Sequence, residues 1–131
     1  MGQFHLSLVI LTVYLISSPA LGKSGVHIIS GVPGALRVHC KSKDDDIGTH
    51  TLSNGEEFQW RFRPNIFRTT LFYCYFFWEE KQKSFAVYDA RISRICKENT
   101  WNCDYYWLAT PTVFNISADN KETWKTINYW N

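Results

Sequence analysis

Two cysteine-bearing segments with the residue pattern of β-strands constrain the fold of this chain more than any other feature. In the first, Leu36, Val38 and Cys40 alternate with polar residues, which is the two-residue period of a strand with one buried face. The second, residues 71–78, is apolar or aromatic at every position and predicts a strand covered on both faces, with Cys74 near its middle. Both cysteines are therefore expected to point into the core of a β-domain.

The first 22 residues have the pattern of a secretory signal peptide. Residues 6–16 form an apolar run that suits a signal-peptide core and is too short to cross a bilayer, which takes about 20 residues. A Ser-Ser-Pro turn follows, and residues 20–22 offer the small-x-small pattern of a cleavage site. We expect residues 1–22 to be removed, leaving residues 23–131 as one secreted domain without a membrane anchor.

All four cysteines, Cys40, Cys74, Cys96 and Cys103, lie in the predicted mature domain. An even number of cysteines in a short secreted chain indicates two disulfides, and the spacing leaves all three possible pairings open. Zinc is disfavoured because the sequence has no C-x₂-C pair and its four histidines are scattered. We therefore expect no metal, no cofactor and no free thiol.

Composition favours strands over helices, since the chain is 17% aromatic, only 20% charged and rich in β-branched residues. Turn-forming Gly, Pro, Asn and Asp separate the candidate strands. These candidates are residues 26–30, 36–42, 58–63, 70–78, 84–89, 104–109, 113–117 and 123–130. The sequence predicts an all-β fold, a small disulfide-stapled antiparallel β-sandwich of seven or eight strands.

Nucleic acid is a poor candidate partner. Residues 58–63 alternate aromatic with polar or basic side chains, which indicates a strand with an aromatic core face and a solvated cationic face. The formal net charge is only +2, too small for a surface that must neutralise many phosphates.

The sequence offers little from which to build a catalytic site. It contains no HExxH, no G-x-S-x-G and no glycine-rich phosphate loop, and its close run of carboxylates is Asp44, Asp45 and Asp46. A calcium loop spaces its ligands with intervening residues, so we interpret this run as a solvated turn over residues 44–48. His39 and Cys40 are neighbours on a strand, point to opposite faces and cannot act as a pair. We expect no enzymatic activity.

Several motifs in a fixed order resemble the plant self-incompatibility protein S1 family, the S-protein homologues. They are the signal peptide, VHCKSKDDDIG, FQWRF, LFYCYFFW, and then Cys96 and Cys103. The resemblance covers residues 26–130 and implies a secreted β-sandwich whose disulfides pair Cys40 with Cys103 and Cys74 with Cys96. It also implies a ligand acting from cell to cell. The sequence departs from the family after Cys103, where residues 104–107 replace a C-x-W run and residues 110–112 replace an Asp-Gly turn.

A ligand of this kind needs a contact surface, which we expect in its loops because loops vary on a rigid frame. We expect the partner to be a cell-surface protein receptor and the ligand to be a monomer. The candidate contact residues are Lys43, Asp44, Asp45, Asp46, Glu79, Glu80, Lys81, Lys97 and Trp101. For Trp101 the alternative is a position in the core. Asn115 opens the only N-x-[ST] sequon and is the candidate glycosylation site.

The alternative function is an extracellular carbohydrate-binding or inhibitory module. Such a module would present Trp and Tyr side chains as stacking platforms. The distribution of side chains on the surface separates the two functions, because aromatic residues lining one site favour a sugar and charged loops favour a protein receptor.

Overall fold

The computed structural model describes residues 22–97 and 101–131 as two β-sheets and one short helix. The predicted signal peptide lies outside the described residues except for Gly22. In chain order the elements are β1 (Ser24–Ser30), β2 (Leu36–Lys41), β3 (Asp46–Leu52), β4 (Glu57–Phe62), β5 (Phe72–Trp78), β6 (Lys81–Tyr88), α1 (Ala90–Ser93), β7 (Asp104–Ala109), β8 (Val113–Ser117) and β9 (Lys125–Tyr129). Over the described residues, no helix has the length and apolar character that a bilayer crossing requires.

The strands form a five-stranded sheet in the order β4-β1-β7-β8-β9 and a four-stranded sheet in the order β3-β2-β5-β6. This arrangement confirms the predicted all-β, disulfide-stapled fold. Two details differ from the prediction. Nine strands are described where seven or eight were expected, and β1 pairs with β7 in parallel although every other pair is antiparallel.

The unpredicted strand is β3, which the sequence analysis had placed partly in an acidic turn. Its sequence, DIGTHTL, has no apolar alternation, because β3 is an edge strand in which only Leu52 is buried. The chain instead turns at residues 42–45, where the Ser42 amide donates to the Asp45 carbonyl at 2.8 Å. Asp46 therefore begins a strand and does not belong to a loop.

The core lies between the sheets and is largely aromatic. Trp107 and Tyr105 on β7 are fully buried, and the Trp107 indole nitrogen donates to the Val87 carbonyl at 3.0 Å, which links the two sheets. On β5 the inward residues alternate with half-buried outward ones. The prediction that this strand is covered on both faces is wrong, because a two-layer sandwich puts a second sheet against only one of them.

All four cysteines are in disulfides, but the pairing implied by the family resemblance is wrong. Cys40 bonds to Cys74, and Cys96 bonds to Cys103. The reason is strand register: Cys40 on β2 lies directly opposite Cys74 on β5, and both side chains are fully buried. Cys103 lies just before β7 in the other sheet and bonds to Cys96, seven residues earlier in the chain.

Candidate functional site

An ionic cluster on the outer face of the five-stranded sheet surrounds His27, which is only 6% exposed. The Nδ1 atom of His27 lies 2.6 Å from Glu57 Oε2, and its Nε2 atom lies 2.9 Å from Asp104 Oδ1. The guanidinium of Arg61 donates to the same Asp104 oxygen at 3.0 Å. The ring of Tyr106 stacks on the imidazole with 4.1 Å between the ring centroids. The cluster exists because β1 lies between β4 and β7.

The geometry of this cluster suits a structural role better than acid–base catalysis. Carboxylate oxygens only accept hydrogen bonds, so both contacts of His27 are satisfied together only when both ring nitrogens carry protons. A histidine held in this way has no free ring nitrogen with which to take a proton from a substrate. Burial, with the charges of Asp104 and Glu57 nearby, raises the pKa of Tyr106. Sequence reasoning missed His27 because its partners lie 30 and 77 residues away.

The acidic run divides into two parts with different surroundings. Lys43, Asp44 and Asp45 are exposed at the turn between β2 and β3. Asp46 Oδ1 accepts hydrogen bonds from His39 Nε2 at 2.8 Å and from the Gly48 amide at 2.9 Å. These two contacts, the histidine first, hold the pKa of the Asp46 carboxyl below its usual value.

Changing the acidic run to amides is therefore expected to give different results at different positions. The double change Asp44→Asn and Asp45→Asn should leave the melting temperature unchanged, because both side chains are solvated. Asp46→Asn should lower it at neutral pH, because a carboxylate with a lowered folded-state pKa stabilises the fold above its usual pKa. This difference should vanish as the pH falls through the folded-state pKa. Thermal melts of the variants from pH 7 to pH 2 provide the test, and equal melting of Asp46→Asn and wild type at pH 7 would contradict it.

The second predicted contact loop is the two-residue turn between β5 and β6. Glu79 and Glu80 are exposed there, and Glu79 adopts a φ of 54°. Lys81 belongs to β6 and is engaged with its neighbours, since its Nζ lies 5.0 Å above the Trp78 ring and donates to the Pro111 carbonyl. This turn follows the end of β5, whereas the acidic turn follows β2, which runs antiparallel to β5. The two charged loops therefore lie at opposite ends of the four-stranded sheet and cannot form one surface.

The third predicted loop falls partly outside the described residues, at residues 98–100. Lys97 is exposed and lines a broad groove beside α1 and the turn between β8 and β9. Trp101 is half-buried and lines a separate small cleft with Pro64, Arg68 and Tyr88. Trp101 thus lies beside the segment that joins β4 to β5, which we call the β4–β5 loop, residues 63–71.

The β4–β5 loop presents the most exposed large hydrophobic side chains among the described residues. Ile66 is 70% exposed and Phe67 is 79% exposed. The loop is nevertheless held by Asn65, whose Oδ1 accepts from the amides of Phe67 at 3.0 Å and Thr69 at 3.1 Å. The backbone amide of Asn65 in turn donates to the Thr70 hydroxyl at 2.8 Å. The sequence analysis predicted a turn at this point, between two candidate strands, and made no prediction for Ile66 or Phe67.

The candidate glycosylation site, Asn115, lies in the middle of β8 and is half-buried on the outer face of its sheet. Its Oδ1 accepts from the Thr126 hydroxyl at 2.6 Å. The side chain therefore reaches solvent near the edge strand β9, and glycosylation at Asn115 stays a prediction.

The fold and its surfaces define a small all-β domain with two disulfides, an aromatic core and exposed loops at both ends. The family model for plant self-incompatibility protein S1 matches residues 25–130, and the chain belongs to this family. It is 43% identical to S-protein homolog 5 of Arabidopsis thaliana over 76 residues, 57% of this chain and 58% of that protein. It is 39% identical to S-protein homolog 29 of the same plant over 90 residues, 68% of this chain and 67% of that protein. The matched segment thus spans less than two thirds of the length of S-protein homolog 5.

Proposed function

We propose that this chain is a secreted plant ligand, freed from residues 1–22, that a receptor protein at the cell surface recognises through the β4–β5 loop. Membership of the S-protein homologues, a ligand-like family, supports this function. So does the surface chemistry of one end of the sandwich, where this loop, Trp101 and α1 lie together. The charged loops predicted from the sequence are a weaker candidate for the contact surface, because they lie at opposite ends of one sheet.

The observation that carries the proposal is the exposure of Ile66 and Phe67 on a hydrogen-bonded loop. Large apolar side chains are costly to leave in water, and they become binding anchors when a partner buries them. Because the Asn65 hydrogen bonds already order the loop, a partner would not have to supply that ordering free energy.

The surroundings of the loop define the chemistry of the partner. Four exposed arginines lie in the loop or on and after α1, whose residues also line the cleft with Trp101; they are Arg63, Arg68, Arg91 and Arg94. An apolar anchor with cations in its own loop and on the neighbouring helix fits a receptor pocket with an apolar floor and an acidic rim. We infer that Phe67 is the central anchor and that Trp101 lies at the margin of the contact.

The test is binding of the labelled, secreted protein to protoplasts of the same plant. Wild type should bind saturably, and protease treatment of the protoplasts should remove the binding, since the proposed receptor is a protein. Phe67→Ala should weaken binding at least tenfold, the scale of an interface hot spot. Its melting temperature should not change, because a 79% exposed ring contributes little to the core.

A matched control is Tyr129→Ala, which removes a 59% exposed aromatic ring from the far edge of the five-stranded sheet and should leave binding unchanged. Asn65→Ala should weaken binding while keeping Phe67, because it releases the loop. Wild-type binding by Phe67→Ala, or binding that survives protease treatment, would refute the proposal.

A further inference from the structure

The outer face of β5 carries three aromatic rings that the second sheet does not cover. Tyr73, Tyr75 and Phe77 alternate with the core residues of this strand and are half-buried. Within the described parts of the chain, β5 makes its main contacts with the neighbouring strands β2 and β6, so no further layer lies on this face. The rings of Tyr73 and Tyr75 lie edge to face, with 5.6 Å between their centroids and 69° between their planes. The three aromatic side chains therefore form a row along β5 whose rings are not coplanar.

Cations flank the row on one side. Strand β2 places Arg37, His39 and Lys41 opposite the three rings in register. The Arg37 guanidinium carbon lies 4.6 Å above the Phe77 ring. The Lys41 ammonium lies 5.7 Å from the Tyr75 ring and 5.9 Å from the Tyr73 ring. We call these six residues the aromatic platform.

The other side of the row is uncharged. Strand β6 places Gln82, Ser84 and Ala86 opposite Phe77, Tyr75 and Tyr73. Asp46 on β3 lies opposite Lys41 in register, and His39 bonds to it at 2.8 Å. Among the described residues neither Arg37 nor Lys41 forms an ion pair with a carboxylate, although the charge of Lys41 contributes to the lowered pKa of the Asp46 carboxyl. The platform as a whole is cationic.

We propose that the aromatic platform binds an acidic oligosaccharide built from uronic acid residues, a function separate from recognition by a receptor. One face of a pyranose ring presents C–H groups that pack on aromatic faces. The carboxylate of a uronic acid accepts paired hydrogen bonds from a guanidinium, which Arg37 supplies beside Phe77. A linear chain lying along β5 would pack one sugar against the ring of Tyr75, with Arg37 over Phe77 at one end and Lys41 beside Tyr73 at the other.

Single-stranded nucleic acid also stacks on aromatic sheet faces and, like an oligouronate, carries one negative charge per unit. Charge density therefore does not separate the two ligands. The proposed secretion of the chain favours the oligosaccharide, and direct comparison of the two ligands tests that choice.

The test uses a linear oligogalacturonate and its fully methyl-esterified form, titrated separately into the full secreted protein by calorimetry. The acid form should bind at least tenfold more tightly than the ester, and binding should weaken as salt rises. Arg37→Gln should remove most of this preference. Tyr75→Ala should weaken binding of both forms about tenfold, the scale of one lost stacking contact.

Further variants keep the outcomes distinct. Tyr129→Ala removes an exposed aromatic residue of the other sheet and should bind the acid form as wild type. Phe67→Ala should also bind it as wild type, whereas Arg37→Gln should bind protoplasts normally, so that this proposal and the receptor proposal can fail separately. If Tyr75→Ala lowers the melting temperature, the double variant Arg37→Gln and Lys41→Gln replaces it as the test variant, and it should lose binding of the acid form. No binding of oligogalacturonate, equal binding of acid and ester, or tighter binding of a single-stranded oligonucleotide would overturn the inference.

Discussion

Replacing Cys40 and Cys74 together by alanine is expected to lower the free energy of unfolding by about 3 to 4 kcal/mol, because their disulfide closes a loop between positions 34 residues apart. That is a large part of the 5 to 15 kcal/mol, roughly, that stabilises a typical domain. We expect a poorly secreted, aggregating product, since unfolding exposes the uncharged, β-prone segment LFYCYFFW. Urea denaturation of any soluble fraction, with the secreted yield, measures the effect.

The matched control is Cys96→Ala with Cys103→Ala. This disulfide spans only 7 residues, so the same chain-entropy argument gives a smaller loss, about 2 to 3 kcal/mol. The variant without the Cys40–Cys74 disulfide should therefore be the less stable of the two. If the short-loop variant were the less stable of the two, loop closure would not be the main contribution of the Cys40–Cys74 bond.

Trp107→Ala is expected to lower the free energy of unfolding by about 3 to 5 kcal/mol through a cavity in the core. The Trp107 side chain is fully buried and packs on Phe85 of the opposite sheet, with 5.1 Å between ring centroids. Its removal also leaves the Val87 carbonyl without the indole hydrogen bond at 3.0 Å. Chemical denaturation monitored by far-ultraviolet circular dichroism would measure the loss.

Trp124→Ala provides the comparison, since this residue is 37% exposed at the turn before β9. It should lose less than 1 kcal/mol, roughly, as expected of a surface substitution. Similar losses from both variants would mean that the two sheets do not depend on Trp107 for their packing.

Local patterns in the sequence predicted the strands that bury one face. Alternation in β2 and the apolar run of β5 located both cysteines, and the bounds predicted for β7 and β8 match those in the structure. Strand β3 was missed because an exposed edge strand needs no apolar alternation. Disulfide pairing and the parallel β1–β7 pair depend on register between distant strands, which no local pattern encodes.

The candidate sites were less predictable than the fold. Phe67 was missed because an apolar residue is ordinarily assigned to the core, and only the structure shows it 79% exposed. The outward row of Tyr73, Tyr75 and Phe77 was missed because aromatic side chains on both faces of a strand look the same in sequence. The predicted contact residue Trp101 lines a cleft with residues of the β4–β5 loop, and its role in binding stays a prediction.

The position of β1 in the middle of its sheet sets an order of assembly during synthesis. A ribosome makes β1 first, but one of its two partners, β7, arrives much later, with His27 and Asp104 77 residues apart. Until β7 emerges, the inner face of β5 has no complete second layer to bury it. The inner face of β5 therefore stays exposed in the nascent chain, and the sandwich is completed only when the last third of the polypeptide has been synthesised.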